Sequence, residues 1–293
     1  MIHRHILTCF FLLTLIPLSA TAFPPASPAG GNYLTLDGVD DYAVLDFKTH
    51  GVLFPKDTEE FTVEMWVYPT TPPAGNVDAM ILSQQVRMEV ASDNGHWENV
   101  KEGIDWQQGD LFLQIRAHIM VKKGVPAEIG RVIALSPNRW HHIAYQSDGR
   151  AQANIVNNFA IVRKWPIGWP IAHDLSHFEY PKDFTLGGFG KKIKFPHGDH
   201  FRGSFAGYID EVRISTVARY DVSKDGFTPS HKFKKDRHTL ALWHFDEPGG
   251  RRNFSDASGN AYHLVGEGGA RTGIPLVVEP HGKLTTTWGR LKQ

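Results

Sequence analysis

The stretch Phe61-Thr62-Val63-Glu64-Met65-Trp66-Val67-Tyr68-Pro69 decides the fold class. Its side chains alternate: Phe61, Val63, Met65 and Val67 fall on one face, and Thr62, Glu64, Trp66 and Tyr68 on the other. A period of two belongs to a β-strand, whose successive side chains point to opposite sides. The alternation returns in Leu111–Arg116 and in Trp140–Tyr145. It predicts strands with one face in a core and the other partly wetted. Turn-forming pairs separate the strands: Asp37-Gly38, Asn94-Gly95, Asp148-Gly149, Gly187-Gly188 and Gly198-Asp199. No long stretch has helical spacing, and the best short helical turn is Thr216–Tyr220. The expected architecture is all-β, a two-sheet antiparallel sandwich.

The chain is long and apolar enough to build a large core, with 293 residues of which 41% are hydrophobic, so wholesale disorder is excluded. Lys+Arg and Asp+Glu both number 31. That balance gives no electrostatic reason to expect nucleic acid or an anionic membrane as partner. Arg4, the apolar run Ile6–Leu18 and the small residues Ala20-Thr21-Ala22 read as a signal peptide over residues 1–22, hence a secreted protein of the extracellular space, periplasm or cell surface. Cys9, the one cysteine, lies inside that run. The processed chain would therefore have no disulfide, thiol nucleophile or thiolate metal site. No later segment is long and apolar enough to cross a bilayer. Residues 23–31 read as a flexible leader and 32–268 as the sandwich, with closing strands in 238–268. Residues 269–293 read as a C-terminal tail, with a strand expected at Ile274–Val278. Gln84–Asp110 and Ile167–Lys182 break the strand rhythm and read as long loops on one rim.

Four segments together resemble the laminin-G-like, concanavalin A-like jelly-roll domains. They are Tyr33–Tyr42, Phe61–Pro69, Trp140–Ala144 and Gly207-Tyr208-Ile209-Asp210-Glu211-Val212-Arg213-Ile214, in family order between Gly31 and Tyr220. Leu242–Glu247 with Asp256–Asn260 resembles a segment that usually precedes this domain. Here it follows, and is expected to complete the same sandwich. The resemblance implies a jelly roll used mostly for binding glycans, matrix proteins or cell surfaces, often with a structural Ca²⁺. The expected function is carbohydrate recognition through rim loops by a non-catalytic module. The alternatives are a protein–protein or matrix-adhesion module of the same fold, and a polysaccharide-active hydrolase or lyase. Fold alone does not choose among them.

Ca²⁺ takes six to eight hard oxygens, and Asp37, Asp40 and Asp41 crowd one turn around Gly38. The resemblance adds Asp210. The expected metal site is Asp37 and Asp210 with Asp40 or the Val39 carbonyl; the other reading of the same residues is turn chemistry alone. Trp66, Trp140 and Trp243 belong to strands and are expected to pack. Trp97, Trp106, Trp165 and Trp169 fall in loops. An exposed indole stacks on the C–H face of a sugar ring, so these four are the glycan-binding candidates, the alternative being that they plug the loops onto the sandwich. Glu211 and Arg213, two apart on one strand, are expected to form a structural charge pair. His173 with His177 and His197 with His200 read as surface residues and not as zinc ligands. The paired-acid pattern of jelly-roll glucanases is missing, and Gln114-Ile115-Arg116 departs at its last position from the lyase strand Gln-Ile-His. No Gly-x-Ser-x-Gly elbow, His-Glu-x-x-His, P-loop or dinucleotide fingerprint occurs. Asn253-Phe254-Ser255 fits the N-glycosylation rule, which matters in a eukaryotic host.

Overall fold

A computed structural model describes residues 26–71, 73, 77–93, 112–120, 126–164, 170–176, 181–194, 201–223 and 226–273. The expected signal peptide and the strand expected at Ile274–Val278 lie outside them. The strands in chain order are β1 (Tyr33–Asp37), β2 (Tyr42–Leu45), β3 (Glu60–Pro69), β4 (Val77–Ser83), β5 (Val86–Asp93), β6 (Phe112–Met120), β7 (Pro126–Leu135), β8 (His141–Asp148) and β9 (Ala151–Val156). They continue with β10 (Phe159–Lys164), β11 (Phe184–Leu186), β12 (Ile193–Lys194), β13 (Phe201–Ser204), β14 (Ala206–Ser215), β15 (Thr239–Trp243), β16 (Asn253–Phe254), β17 (Leu264–Glu267) and β18 (Arg271–Gly273). One sheet has the order β10-β9-β8-β3-β14-β1-β18, with β15 also paired to β14. The other runs β16-β17-β2-β11-β4-β5-β6-β7, with β13 alongside β4 and β12 on β13. All these pairings are antiparallel except β13 with β4. This is the expected two-sheet jelly-roll sandwich.

The core lies between the sheets. Phe61, Val63, Met65 and Val67 of β3 enter it beside Ile209, Val212 and Ile214 of β14, and meet Leu45, Ile81, Met88 and Leu186 from the other sheet. Phe184 and Trp243 stack across the interior at 5.4 Å between ring centroids. Each such side chain contributes about 1.5–3 kcal/mol by leaving water. Residues after Asp246 pair with both sheets: β17 with β2 and β18 with β1. The last of these falls in the stretch read as a tail.

Three local expectations are corrected. Thr216–Tyr220 is not helical; the helix found among the described residues is α1 (Phe47–His50), capped by Asp46, whose carboxylate accepts from the Thr49 amide at 3.0 Å. The stretch read as a loop from Gln84 begins with a strand, β5, because Gln84 and Gln85 form its tight entry. Their side-chain oxygens accept from the Leu53 and Phe54 amides at 3.0 and 2.8 Å. The second face of β3 is not wetted. Trp66 and Tyr68 are 8% and 7% exposed, and Thr62 and Glu64 are fully buried.

The cover over that face is a strap, residues 216–223 and 226–238, between β14 and β15. Backbone and side chains tie it down. Thr62 Oγ1 donates to the Val217 carbonyl at 2.8 Å, and Trp66 Nε1 to the Ser230 carbonyl at 3.3 Å. The Gln146 amide donates to the Tyr220 carbonyl at 2.8 Å and accepts from its N–H at 3.0 Å. Phe233 packs on Trp66, while Tyr220 and Phe227 pack on Ala144 and Ile155. At the centre, the buried Glu64 carboxylate accepts from Tyr220 Oη at 2.5 Å and from Arg213 Nε at 2.7 Å, and lies 3.4 Å from His142 Nε2. Burial pushes the Glu64 pKa up, and its contacts with His142, Arg213 and Tyr220 outweigh that and hold it below the ordinary value.

Truncating Glu64 should loosen the strap. Glu64→Ala leaves the Arg213 guanidinium without its carboxylate, and is expected to cost about 3–5 kcal/mol, read as a lowered urea midpoint. The folded pKa lies below 4.5, so the stabilisation is whole above pH 4.5 and is lost as pH falls through the folded value. Equal midpoints for the two chains at neutral pH would contradict this role.

Candidate functional site

Along the strap lies an open cleft of about 490 Å³, lined by Arg213, Val217–Asp221, Phe227, Thr228 and Ser230. The size is that of a small-ligand site. The rings of Tyr220 and Phe227 lie 5.1 Å apart, centroid to centroid. Thr228 and Ser230 are exposed. Arg213 is fixed from three sides: its Nε and Nη2 reach Glu64 at 2.7 Å, its Nη1 donates to the Lys234 carbonyl at 3.1 Å, and its guanidinium lies 4.7 Å from the Phe233 ring centroid. Arg219 makes a two-point pair with Asp236, both bonds 2.9 Å, and its Nε donates to Ser215 Oγ at 2.6 Å. Arg219 holds the Asp236 carboxyl well below the usual carboxylate range. Burial, with the Glu64 charge and bond beside it, pushes the Tyr220 hydroxyl far above its ordinary pKa, so it stays a neutral donor. Rings, fixed donors and exposed hydroxyls thus share one cavity.

A bulge in β14 arranges the neighbouring acids. The register shifts between Asp210 and Arg213, and Glu211 adopts φ 52°. One extra residue in the strand turns Asp210 and Glu211 away from Val212, which keeps its place in the core. Glu211 therefore does not pair with Arg213. Its carboxylate accepts from the Phe233 amide at 2.7 Å and lies 2.7 Å from His244 Nδ1. Asp210 is fully buried, accepts from Ser27 Oγ and from the Glu211 amide, and its pKa is raised well above the ordinary value by burial.

The expected metal residues do not all meet. Asp37 pairs in register with Ala206, four positions before Asp210 on β14, and Asp210 is occupied with Ser27. Asp41 takes the third place: carboxylate oxygens of Asp37, Asp40 and Asp41 lie within 4.8 Å of one another. The turn also uses them. Asp37 Oδ1 accepts from the Val39 amide at 2.7 Å, and Asp41 accepts from the Asp37 amide at 3.0 Å and from the Gly269 amide. The Val39 carbonyl accepts from Ser204 Oγ at 3.0 Å. Burial is the main cause of a raised Asp41 pKa; the charges of Asp37 and Asp40 add to it. Three hard carboxylates on a short turn suit a divalent cation such as Ca²⁺ in donor type.

Trp97, Trp106, Trp165 and Trp169 lie outside the described residues. Trp66 and Trp243 are buried as expected. The strap cleft was missed. The signal for it was Glu64: an acid in an otherwise apolar strand needs buried partners, and Arg213, Arg219 and Tyr220 supply them. A second polar group lies buried on the other sheet, where Ser83 is the register partner of Thr185 and of Arg87. The Ser83 and Thr185 hydroxyls have no hydrogen-bond partner, but at 1% and 2% exposure they are closed to a ligand from solvent.

No family model matches the chain, and no curated protein matches it. Among solved structures it is similar to a candidate carbohydrate binding protein from Bacteroides ovatus, at 17% identity and TM-score 0.49, over 83% of this chain and 60% of that one. It is also similar to a heptameric SAP-like pentraxin from Limulus polyphemus, at 12% identity and TM-score 0.39, over 66% of this chain and 79% of that one. A third is domains LG4-5 of the mouse laminin alpha1 chain, at 11% identity and TM-score 0.37, over 71% and 48% respectively. The chain thus spans 60% of the length of the Bacteroides protein. At TM-scores below 0.5 these likenesses carry no argument about role.

Proposed function

We propose that this chain is a secreted, non-catalytic carbohydrate-binding module that holds a glycan in the strap cleft. The observation that carries the reading is the cleft itself: the Tyr220 and Phe227 rings, guanidiniums fixed by ion pairs, and the exposed hydroxyls of Thr228 and Ser230 border one open cavity. Sugar recognition needs an apolar ring to meet C–H faces and preset polar groups to meet hydroxyls. The indoles of Trp97, Trp106, Trp165 and Trp169 are proposed as further contacts. Secretion is supported by the signal-like residues 1–22; among the described residues no helix is long and apolar enough to cross a membrane. Glu64 has no part in chemistry on this reading, because it is buried and its carboxylate is bonded to Tyr220 and Arg213.

The chain lacking residues 1–22 should bind soluble oligosaccharides in the micromolar-to-millimolar range by calorimetry. Thr228→Trp, a change at an exposed position that fills the cleft, should weaken that binding at least about tenfold while leaving the unfolding midpoint in place. Unchanged binding by the filled cleft, or protein capture with no glycan bound on an array, would redirect the assignment.

The reading includes a structural Ca²⁺ held by Asp37, Asp40 and Asp41. A bound cation would relieve the mutual repulsion of these carboxylates and fix the β1–β2 turn. Millimolar Ca²⁺ should raise the thermal midpoint, a chelator should reverse the rise, and Asp40→Ala should abolish it. A midpoint indifferent to Ca²⁺ rejects the metal.

A further inference from the structure

The strap cleft takes a sugar, on the reading above, and its charge balance narrows which kind. Two guanidiniums border it, which at first sight marks a site for acidic ligands. Both are already closed by carboxylates of the chain. Arg213 faces Glu64 through Nε and Nη2 and spends Nη1 on the Lys234 carbonyl. Arg219 presents both terminal nitrogens to Asp236 at 2.9 Å and its Nε to Ser215. The two-point geometry that would clasp a uronate or a sulfate is therefore used internally. Asp221, the remaining charged residue of the lining, is an acid and is exposed. An anionic ligand would have to displace Asp236 from Arg219 and approach Asp221. Thr228 and Ser230, exposed residues of the lining, are uncharged.

We infer that the cleft selects neutral sugars and rejects acidic ones. The filter is the Arg219–Asp236 pair: Asp236 does not line the cleft, yet it cancels the charge that would otherwise invite an anion. Its carboxylate is also held by the Thr239 hydroxyl and the His238 amide, both at 2.9 Å, so it does not swing away at small cost. The filter acts through charge and not through shape. Removing the charge of Asp236 while keeping its size should therefore narrow the preference.

The test measures calorimetric affinity of the chain lacking residues 1–22 for neutral trisaccharides (cellotriose, xylotriose, maltotriose) and for trigalacturonate, at low and moderate salt. The native chain should bind a neutral trisaccharide with little salt dependence and bind trigalacturonate at least tenfold more weakly. In Asp236→Asn the acid-to-neutral affinity ratio should rise on the order of tenfold, and the gain should fade with salt. The Asn side chain still accepts from Thr239 and His238, and the unfolding midpoint checks that the strap is in place. Tighter binding of trigalacturonate by the native chain, lost in Thr228→Trp, overturns the selectivity and leaves glycan binding standing. An unchanged ratio in a folded Asp236→Asn overturns the assignment of the filter. Failure of every sugar to bind removes the glycan reading and this inference with it.

Discussion

One buried carboxylate organises this molecule. Glu64 stands in the middle of β3, where its neighbours on both faces are out of water, and an isolated ion there would cost several kcal/mol. The chain meets that cost by bringing partners: Arg213 from the adjacent strand, His142 from the strand on the other side, and Tyr220 from the strap. Two of these partners belong to the sheet. The third does not, and with the bonds of Thr62, Trp66, Gln146 and Glu211 it fastens the strap over a face that the alternation of β3 alone would leave half open to solvent. The apolar part of the cover, Phe233 on Trp66 and Tyr220 with Phe227 on Ala144 and Ile155, supplies burial area; the ionic centre supplies register.

The cleft is a consequence of that fastening. The strap is pinned near Tyr220 by Glu64 and Gln146, and near Phe233 by the Glu211 carboxylate. Between the pins, Phe227, Thr228 and Ser230 line the cavity, with the Ser230 carbonyl held by Trp66. The same ion pairs that hold the strap quench the charge of the cavity walls. Structure and selectivity thus rest on one set of bonds, and a change that frees either guanidinium alters both.

Much of the fold was legible in the sequence. The alternation in Phe61–Tyr68 named β3, because side-chain period is a local property of the strand; the Gly207–Ile214 segment of β14 was placed by family resemblance. Less local matters were not legible. The bulge at Glu211 depends on how β14 meets β3, and a strict period of two placed Glu211 beside Arg213 when the extra residue sends it to Phe233 and His244. The partly wetted face of β3 was read from polarity, but the strap that buries it is rich in Thr, Ser, Lys and Asp, which looks like an exposed loop, and its covering side chains Tyr220, Phe227 and Phe233 are spaced without a strand or helix period. For the acidic turn, Asp37, Asp40 and Asp41 were legible as a cluster. Asp210 was joined to them through family resemblance, and the four-residue offset on β14 separates them.

The central claim is that the buried Glu64 carboxylate of the sheet, acting through Tyr220 and Arg213, and not the loop's own structure, holds the strap. Native-state hydrogen exchange of the amide of Phe233, which donates to Glu211, and of Tyr220, which donates to Gln146, tests it directly. The account predicts that both exchange slowly, near the rate set by global unfolding, and that both become fast together when Glu64 is replaced. Exchange at loop-like rates in the native chain, with β3 and β14 amides fully protected, would contradict it.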